Sequence, residues 1–225
     1  MTTLLVTGAG RGIGRELCKQ ALAKDWTVYG SVRSGVNADE LSSTLPGISL
    51  LQFDVTDYAA IEAAGGTLDA PIDVLINNAG ILGPEKQTTS DMDFDGFRDV
   101  MEVNVLAPLK VAQTFHPHLK RSSNARLINI SSQLGRTGYA ATDMVAYRAS
   151  KAALNKVTQA QAADFQEDGI ICVAMHPGYV QTDMAGPGAD IPPHESAAGI
   201  LRVAENLTLE QSGSFIDWDG TRRDW

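Results

Sequence analysis

The sequence predicts a single α/β domain in which a doubly wound parallel sheet is covered by helices on both faces, and three observations carry that prediction. Short β-branched or leucine-rich runs alternate with longer segments of helical period, the pattern of successive βαβ units. The first runs, beginning with Leu4-Leu5-Val6, are near-continuously apolar rather than alternating, as strands buried on both faces require. The 225 residues suffice for one substantial core, so the unit is read as one domain over residues 1–225.

Seven strands follow from the apolar runs, over 3–7, 27–32, 48–53, 74–77, 126–131, 170–175 and 214–217. Helical periodicity places helices over 12–24, 59–64, 94–120, 147–167 and 193–206. Pro46-Gly47, Gly65-Gly66 and Pro187-Gly188 read as loops, and Gly169 as the stop of the helix before it. The glycine- and proline-rich stretch 185–193 is the loosest part, either a connector or a lid. No internal repeat, low-complexity tract or linker interrupts the chain.

The 44% apolar and 20% charged fractions are those of an ordinary globular protein. A net charge of -9 without a long basic run argues against nucleic acid or an anionic membrane as partner. It leaves room for a phosphate held by backbone amides and one or two arginines. Cys18 and Cys172 lie in apolar periodic segments and read as buried free thiols, and four scattered histidines give no metal cluster, so no metal is expected. Met1-Thr2-Thr3 leads straight into a strand without a basic or cleavable segment, and no run approaches ~20 apolar residues, so a cytoplasmic protein is expected.

Two local patterns carry chemistry. Thr7-Gly8-Ala9-Gly10-Arg11-Gly12-Ile13-Gly14 follows the first strand and opens the first helix, where glycines permit a tight turn and free amides meet a pyrophosphate. Tyr147 and Lys151 stand four apart, on one helix face, with Ser131 and Ser132 upstream. A phenol titrating near ~10 needs a neighbouring cation to exchange protons near neutrality, which Lys151 would supply. Taken alone, a strand-to-helix turn and a chance helical pair would explain each pattern.

Three residues, rather than one, separate Gly8 from Gly12, and Thr-Gly-x-x-x-Gly-x-Gly resembles the short-chain dehydrogenase/reductase family. Asn77-Asn78-Ala79-Gly80, Asn104, Ser132, Tyr147, Lys151, Pro177-Gly178 and Thr182 match that family in order over nearly the whole chain. The resemblance implies a Rossmann-type fold and an NAD(P)-dependent oxidoreductase acting on CH-OH/C=O groups. The segments 147–155, 176–184 and 217–220 look most like small carbonyl reductases of the sniffer and C-factor type. An NADPH-dependent reductase of an aldehyde, ketone or quinone is therefore expected. The alternatives are an NAD(P)-binding signalling or scaffold protein with little turnover, and an NAD-dependent alcohol dehydrogenase.

The resemblance also implies roles. Tyr147 would exchange the proton, Lys151 would lower its pKa and bind the nicotinamide ribose, and Ser132 would hydrogen-bond the substrate oxygen. Asn104 would be the fourth member, unless it is a helix amide bonded to nearby backbone. Ser132 is preferred to Ser131 because it stands three residues before Gly135, although fifteen residues before Tyr147, about two more than in many relatives. The loop 136–145 would absorb that extra length and shape the pocket. Gly8, Gly10, Gly12, Ile13 and Gly14 would hold phosphates, with Asn78, Ala79 and Gly80 along the cofactor. Pro177, Gly178, Val180 and Thr182 would pack on or bond the nicotinamide.

Asp54, with Val55, would meet the adenine, although Asp54 could equally cap a helix near Thr56. Cofactor choice follows from charge: Ser31-Val32-Arg33-Ser34 carries arginine where an acid would select NAD, and Arg11 could reach the same 2'-phosphate. NADP(H) is expected, with NAD(H) as the second choice, unless both arginines are merely solvated. Met144, Tyr179 and Met184 are candidate pocket walls, and His176 reads as structural. The partner would be a small carbonyl or alcohol molecule. A homodimer or homotetramer through the helices 94–120 and 147–167 is open, since some small reductases are monomeric.

Overall fold

A computed structural model of the chain describes residues 1–33 and 35–225. Its strands are β1 (Thr3–Val6), β2 (Thr27–Val32), β3 (Ser49–Gln52), β4 (Val74–Asn77), β5 (Arg126–Ile130), β6 (Ile171–His176), β7 (Phe215–Asp217) and β8 (Arg222–Arg223). They form one sheet in the order β3-β2-β1-β4-β5-β6-β7-β8, parallel throughout except for β8, which runs antiparallel to β7. Among the described residues the expected count of seven is thus corrected to eight. The extra strand is two arginines long, too short and too polar to register as an apolar run.

The helices are α1 (Gly12–Leu22), α2 (Gly35–Thr44), α3 (Tyr58–Thr67), α4 (Phe94–Met101), α5 (Ala107–Leu119), α6 (Val145–Asp164) and α7 (Pro193–Asn206). Helix α2 has no counterpart among the expected helices, because its Asp39-Glu40 and Ser42-Ser43-Thr44 offer no continuous apolar stripe. Gly65 and Gly66, read as a loop, lie inside α3. A Cβ on Gly65 would sit 2.5 Å from Thr114 Cγ2, so glycine lets α3 press against α5. The helix expected over 94–120 is divided by a π-turn at Glu102–Leu106, where the Ala107 N–H reaches back five residues to the Glu102 carbonyl. No helix of the described residues is long and apolar enough to cross a membrane.

Strand side chains alternate between two apolar layers. Leu4, Val6, Ile76, Ile128 and Val173 pack with α1 and α7 on one face, and Leu5, Leu75, Leu127 and Cys172 with α3 and α5 on the other. Phe115 on α5 is fully buried, which contributes about 1.5–3 kcal/mol. A polar ladder crosses this second layer. Asn77 Nδ2 donates to Asn129 Oδ1 at 2.9 Å, and Asn129 Nδ2 donates to Thr158 Oγ1 (2.9 Å) and Gln161 Oε1 (2.8 Å) on α6. Sheet order reverses between β1 and β4, the position at which open α/β sheets bind ligands beyond their carboxyl ends.

Candidate active site

At the end of β1 the chain turns with Gly8 at φ +70° and Gly12 at φ +53°, left-handed values that favour glycine. A Cβ on Gly14 would lie 2.3 Å from the Gly8 carbonyl oxygen and 2.6 Å from Asn78 Nδ2, so the start of α1 fits only without a side chain there. Short polar groups in the apolar strands hold the turn. Ser31 Oγ accepts from the Gly8 N–H (3.1 Å), and Thr7 Oγ1 accepts from the Asn78 and Ala79 N–H groups (3.0 and 3.1 Å). The N-cap of α1, Arg11, makes no side-chain cap bond, and the first turn carries no acid. A backbone cradle ending in free amides and a helix dipole fits the phosphates of a dinucleotide.

The arginines separate. Arg33 is exposed at the end of β2, as a partner of a 2'-phosphate must be, whereas Ser34 beside it lies outside the described residues. Arg11 Nη1 instead crosses to Asp183 Oδ2 at 2.9 Å, an exposed ion pair joining the glycine turn to the segment after β6. Asp54 bonds the N–H and hydroxyl of Thr56 (2.9 and 2.8 Å), with buried Val55 between them. The reading of Asp54 as a helix cap is corrected, since α3 starts later and Asp57 caps it through the Ala60 N–H.

The catalytic candidates converge at the carboxyl edge. Ser131 is turned into α6, donating to Asn155 Oδ1 at 2.5 Å, while the Ser132 hydroxyl faces the Tyr147 phenol. Gly135 explains the spacing: a Cβ there would lie 2.6 Å from the Lys151 carbonyl carbon, so the 3-10 turn Gln133–Gly135 can rest on α6. Lys151 is buried, with Nζ 2.8 Å from the Ile130 carbonyl and 5.7 Å from the Tyr147 ring centroid. Burial pushes its amine down to about 8.

The expected lowering of the Tyr147 pKa by Lys151 is not what this geometry gives. Burial raises the phenol above its ordinary value, and the neighbouring Ser132 hydroxyl opposes that rise only in part. A phenol protonated at neutral pH is the state required of an acid in reduction.

Asn104 projects from the π-turn and is fully buried. Its Oδ1 accepts from the Ile81 N–H (2.9 Å), and its Nδ2 donates to the Ile81 carbonyl (2.9 Å) and to Ser150 Oγ (3.1 Å). Ser150 in turn donates to the Tyr147 carbonyl at 2.7 Å. The chain Ile81–Asn104–Ser150–Tyr147 thus joins the segment after β4 to the helix bearing the phenol. A Cβ on Gly80 would approach Asn104 Oδ1 at 3.2 Å and Lys151 Nζ at 3.8 Å.

After β6, Gly178 takes φ +89°, and Val180 is buried and bridged to Ile191. Pro177 accepts from Ser196 Oγ at 2.6 Å, and Thr182 lies against Gly12, whose added Cβ would be 3.3 Å from Thr182 Cγ2. The stretch read as loose is pinned to its neighbours: Asp190 and Ile191 donate to the Tyr179 carbonyl, and Gln181 Nε2 donates to the Ala189 carbonyl. Tyr179 and Met184 are partly exposed. Met184 lines a cleft of about 550 Å³ with Arg11, Gly80, Pro84, Asp99 and Asp183, while Met144 lies at the head of α6 with φ +51°. His176 is buried, and its imidazole is pushed down to about 4 by that burial, so it is neutral at pH 7.

Sequence reasoning passed over Thr7, Ser31, Ser150, Asn155 and Asp183. The first two carried a signal, Thr7 being a small polar residue directly after an apolar strand and Ser31 one inside such a strand. It also passed over Gln87, a buried loop residue with no local signature.

The fold and this site define a nucleotide-binding α/β oxidoreductase domain. A family model described as short chain dehydrogenase matches residues 2–190, and the chain belongs to that family. C-signal of Myxococcus xanthus is 40% identical over 157 residues, covering 69% of this chain and 93% of that protein. Among solved structures, the NADPH-bound carbonyl reductase from chicken fatty liver superposes with a TM-score of 0.91 at 36% identity, covering 100% of this chain and 99% of that one. Carbonyl reductase Sniffer of D. melanogaster superposes at 0.93 with 31% identity, covering both chains fully (100% of each).

Proposed function

We propose that this chain is an NADPH-dependent reductase of an aldehyde, ketone or quinone. The observation that carries the reading is the meeting of a buried phenol, a facing serine hydroxyl and a buried lysine beside the glycine turn, on the edge where the sheet order reverses. Similarity to an NADPH-bound carbonyl reductase and to Sniffer supports it.

NADPH, when bound, supplies the hydride. The amides from Gly8 to Gly14 would hold its pyrophosphate, Arg33 its 2'-phosphate, and Asp54 and Val55 its adenine. Asn78, Ala79, Gly80 and Lys151 would line the ribose, with Pro177, Gly178, Val180 and Thr182 at the nicotinamide. Ser132 orients the substrate carbonyl and stabilises charge growing on its oxygen, and Tyr147 delivers the proton to that oxygen. Asn104 holds the Ile81 peptide at the cleft and, through Ser150, the backbone of Tyr147. The test is NADPH oxidation with a carbonyl panel, in which Tyr147→Phe lowers kcat by about 10²–10⁴-fold. Absence of turnover by the parent, or undiminished turnover by the variant, sinks the assignment.

Similarity to C-signal favours a second reading, a nucleotide-binding signalling or scaffold protein. Tight NADP(H) binding with no turnover, together with cofactor-dependent association with a protein partner, would support it. An NAD-dependent alcohol dehydrogenase is the third reading, and comparison of NAD(H) and NADP(H) affinities tests it.

A further inference from the structure

Helix α6, which carries Tyr147 and Lys151, begins without a cap of its own. Its N-cap residue is Met144, in the left-handed region at φ +51°, with no side-chain cap bond, and its first turn has no acidic residue. Free amides at a buried helix start need acceptors. They find them on Gln87, a residue of the long segment between β4 and α4. The Gln87 carbonyl accepts from the Val145 N–H at 2.9 Å, and Gln87 Oε1 accepts from the Tyr147 N–H at 3.0 Å. The same side chain turns its nitrogen the other way, donating to the Leu82 carbonyl at 3.1 Å and to the Pro84 carbonyl at 2.6 Å. One orientation of the amide satisfies all three bonds, because an oxygen must face the N–H and the nitrogen must face two carbonyls.

The two ends of this amide meet different parts of the site. Leu82 and Pro84 line the 550 Å³ cleft, and Gly83 between them holds φ +98° with its virtual Cβ 3.3 Å from Gln87 Nε2. Tyr147 is the proposed proton donor. Gln87 itself is buried and touches neither the phenol nor the cleft's opening through any hydrogen bond of its side chain.

We propose that Gln87 is a positioning residue that fixes the backbone of the proton donor through its amide oxygen and the cleft wall at Leu82 and Pro84 through its amide nitrogen. This rests on the reductase reading for its kinetic consequence, though not for its structural one. The chemistry of a primary amide separates the two arms. Gln87→Met removes both, whereas Gln87→Glu keeps an oxygen for the Tyr147 N–H and turns carboxylate lone pairs against two carbonyls.

Amide hydrogen exchange and steady-state kinetics on both variants, with the parent protein and NADPH binding measured alongside, decide it. Gln87→Met accelerates exchange in residues 81–88 and 145–150 together and lowers kcat by about 10–100-fold, the effect of losing buried hydrogen bonds at a reacting group. Gln87→Glu confines faster exchange to residues 81–88 and raises KM by a larger factor than it lowers kcat. NADPH affinity stays within about twofold in both, since the glycine turn is untouched. Unchanged exchange over 145–150 in Gln87→Met overturns the proposal, as does a kcat/KM split that is the same for both variants. If Gln87→Met does not fold, the contrast between Gln87→Glu and the parent carries the decision. A parent protein without carbonyl turnover refutes the reductase reading, while the exchange pattern still judges Gln87.

Discussion

The two halves of the site are built from different materials. The proposed cofactor half is backbone brought close: positive φ at Gly8 and Gly12, and a helix start at Gly14 with no space for a side chain. The proposed catalytic half is buried side chains in one hydrogen-bonded assembly, in which Asn104, Ser150, Lys151 and Gln87 tie three segments to α6. The first should fail by steric intrusion. The second should fail by loss of polar partners or by a change of protonation.

The largest expected effect lies in the catalytic half and concerns pH. The Lys151 amine is displaced from its ordinary 10.5 to about 8 by burial, so between those values the unfolded chain binds the extra proton and stability from this group rises with pH. Below pH 8 the buried ammonium costs on the order of 3 kcal/mol relative to the same group above 10.5. Denaturant unfolding of Lys151→Met and the parent should show the variant's advantage shrinking by about that amount as pH rises through this window. A pH-independent difference would place the amine in water rather than in the core.

Next comes the steric half. Gly14→Ala should destabilise the fold by about 1–3 kcal/mol and weaken NADPH binding, because the methyl meets the Gly8 carbonyl, which is backbone. Thermal unfolding with and without NADPH reads both effects, and an unaltered cofactor affinity would separate the turn from the cofactor.

A smaller effect tests charge. Arg33→Ser should cut the preference for NADPH over NADH by about tenfold, the scale of one charge-assisted hydrogen bond, measured as the ratio of the two dissociation constants. The smallest belongs to the exposed pair between Arg11 and Asp183. Asp183→Asn releases Arg11 and should tighten NADPH by no more than about fivefold at low salt, the gain vanishing at high ionic strength.

The contrast also accounts for what the sequence could announce. The glycine turn is a local pattern, readable because eight consecutive residues hold both the bend and the helix start. Strands were legible from their apolar runs, and the preference for Ser132 over Ser131 rested on the family spacing of three residues before Gly135, a glycine that in the structure rests on α6. The catalytic assembly depends on contacts across sequence distance. Nothing near Gln87 signals that its amide will meet an N–H sixty residues later. The π-turn was hidden for another reason: Glu102-Val103-Asn104-Val105-Leu106 has the composition of uninterrupted helix, and the widened turn becomes visible only once Asn104 reaches Ile81. Arg11 takes a partner that the sequence does not announce, because a guanidinium on a long stem goes to the acid it can reach, and Asp183 lies in a segment distant in sequence.

The ladder from Asn77 through Asn129 to Gln161 behaves like a keyed joint in assembly. Asn77 and Asn129 are direct cross-strand partners of β4 and β5, and both amides lie in otherwise apolar packing. Slippage of β5 by one residue would turn Asn129 to the opposite layer, stranding its amide and that of Asn77 at about 1–3 kcal/mol each. Leucine and isoleucine would tolerate such an error far better, since one aliphatic contact resembles another. The central strands therefore check their own alignment as the sheet closes, and the edge bearing Ser132 arrives opposite Tyr147 in a single register.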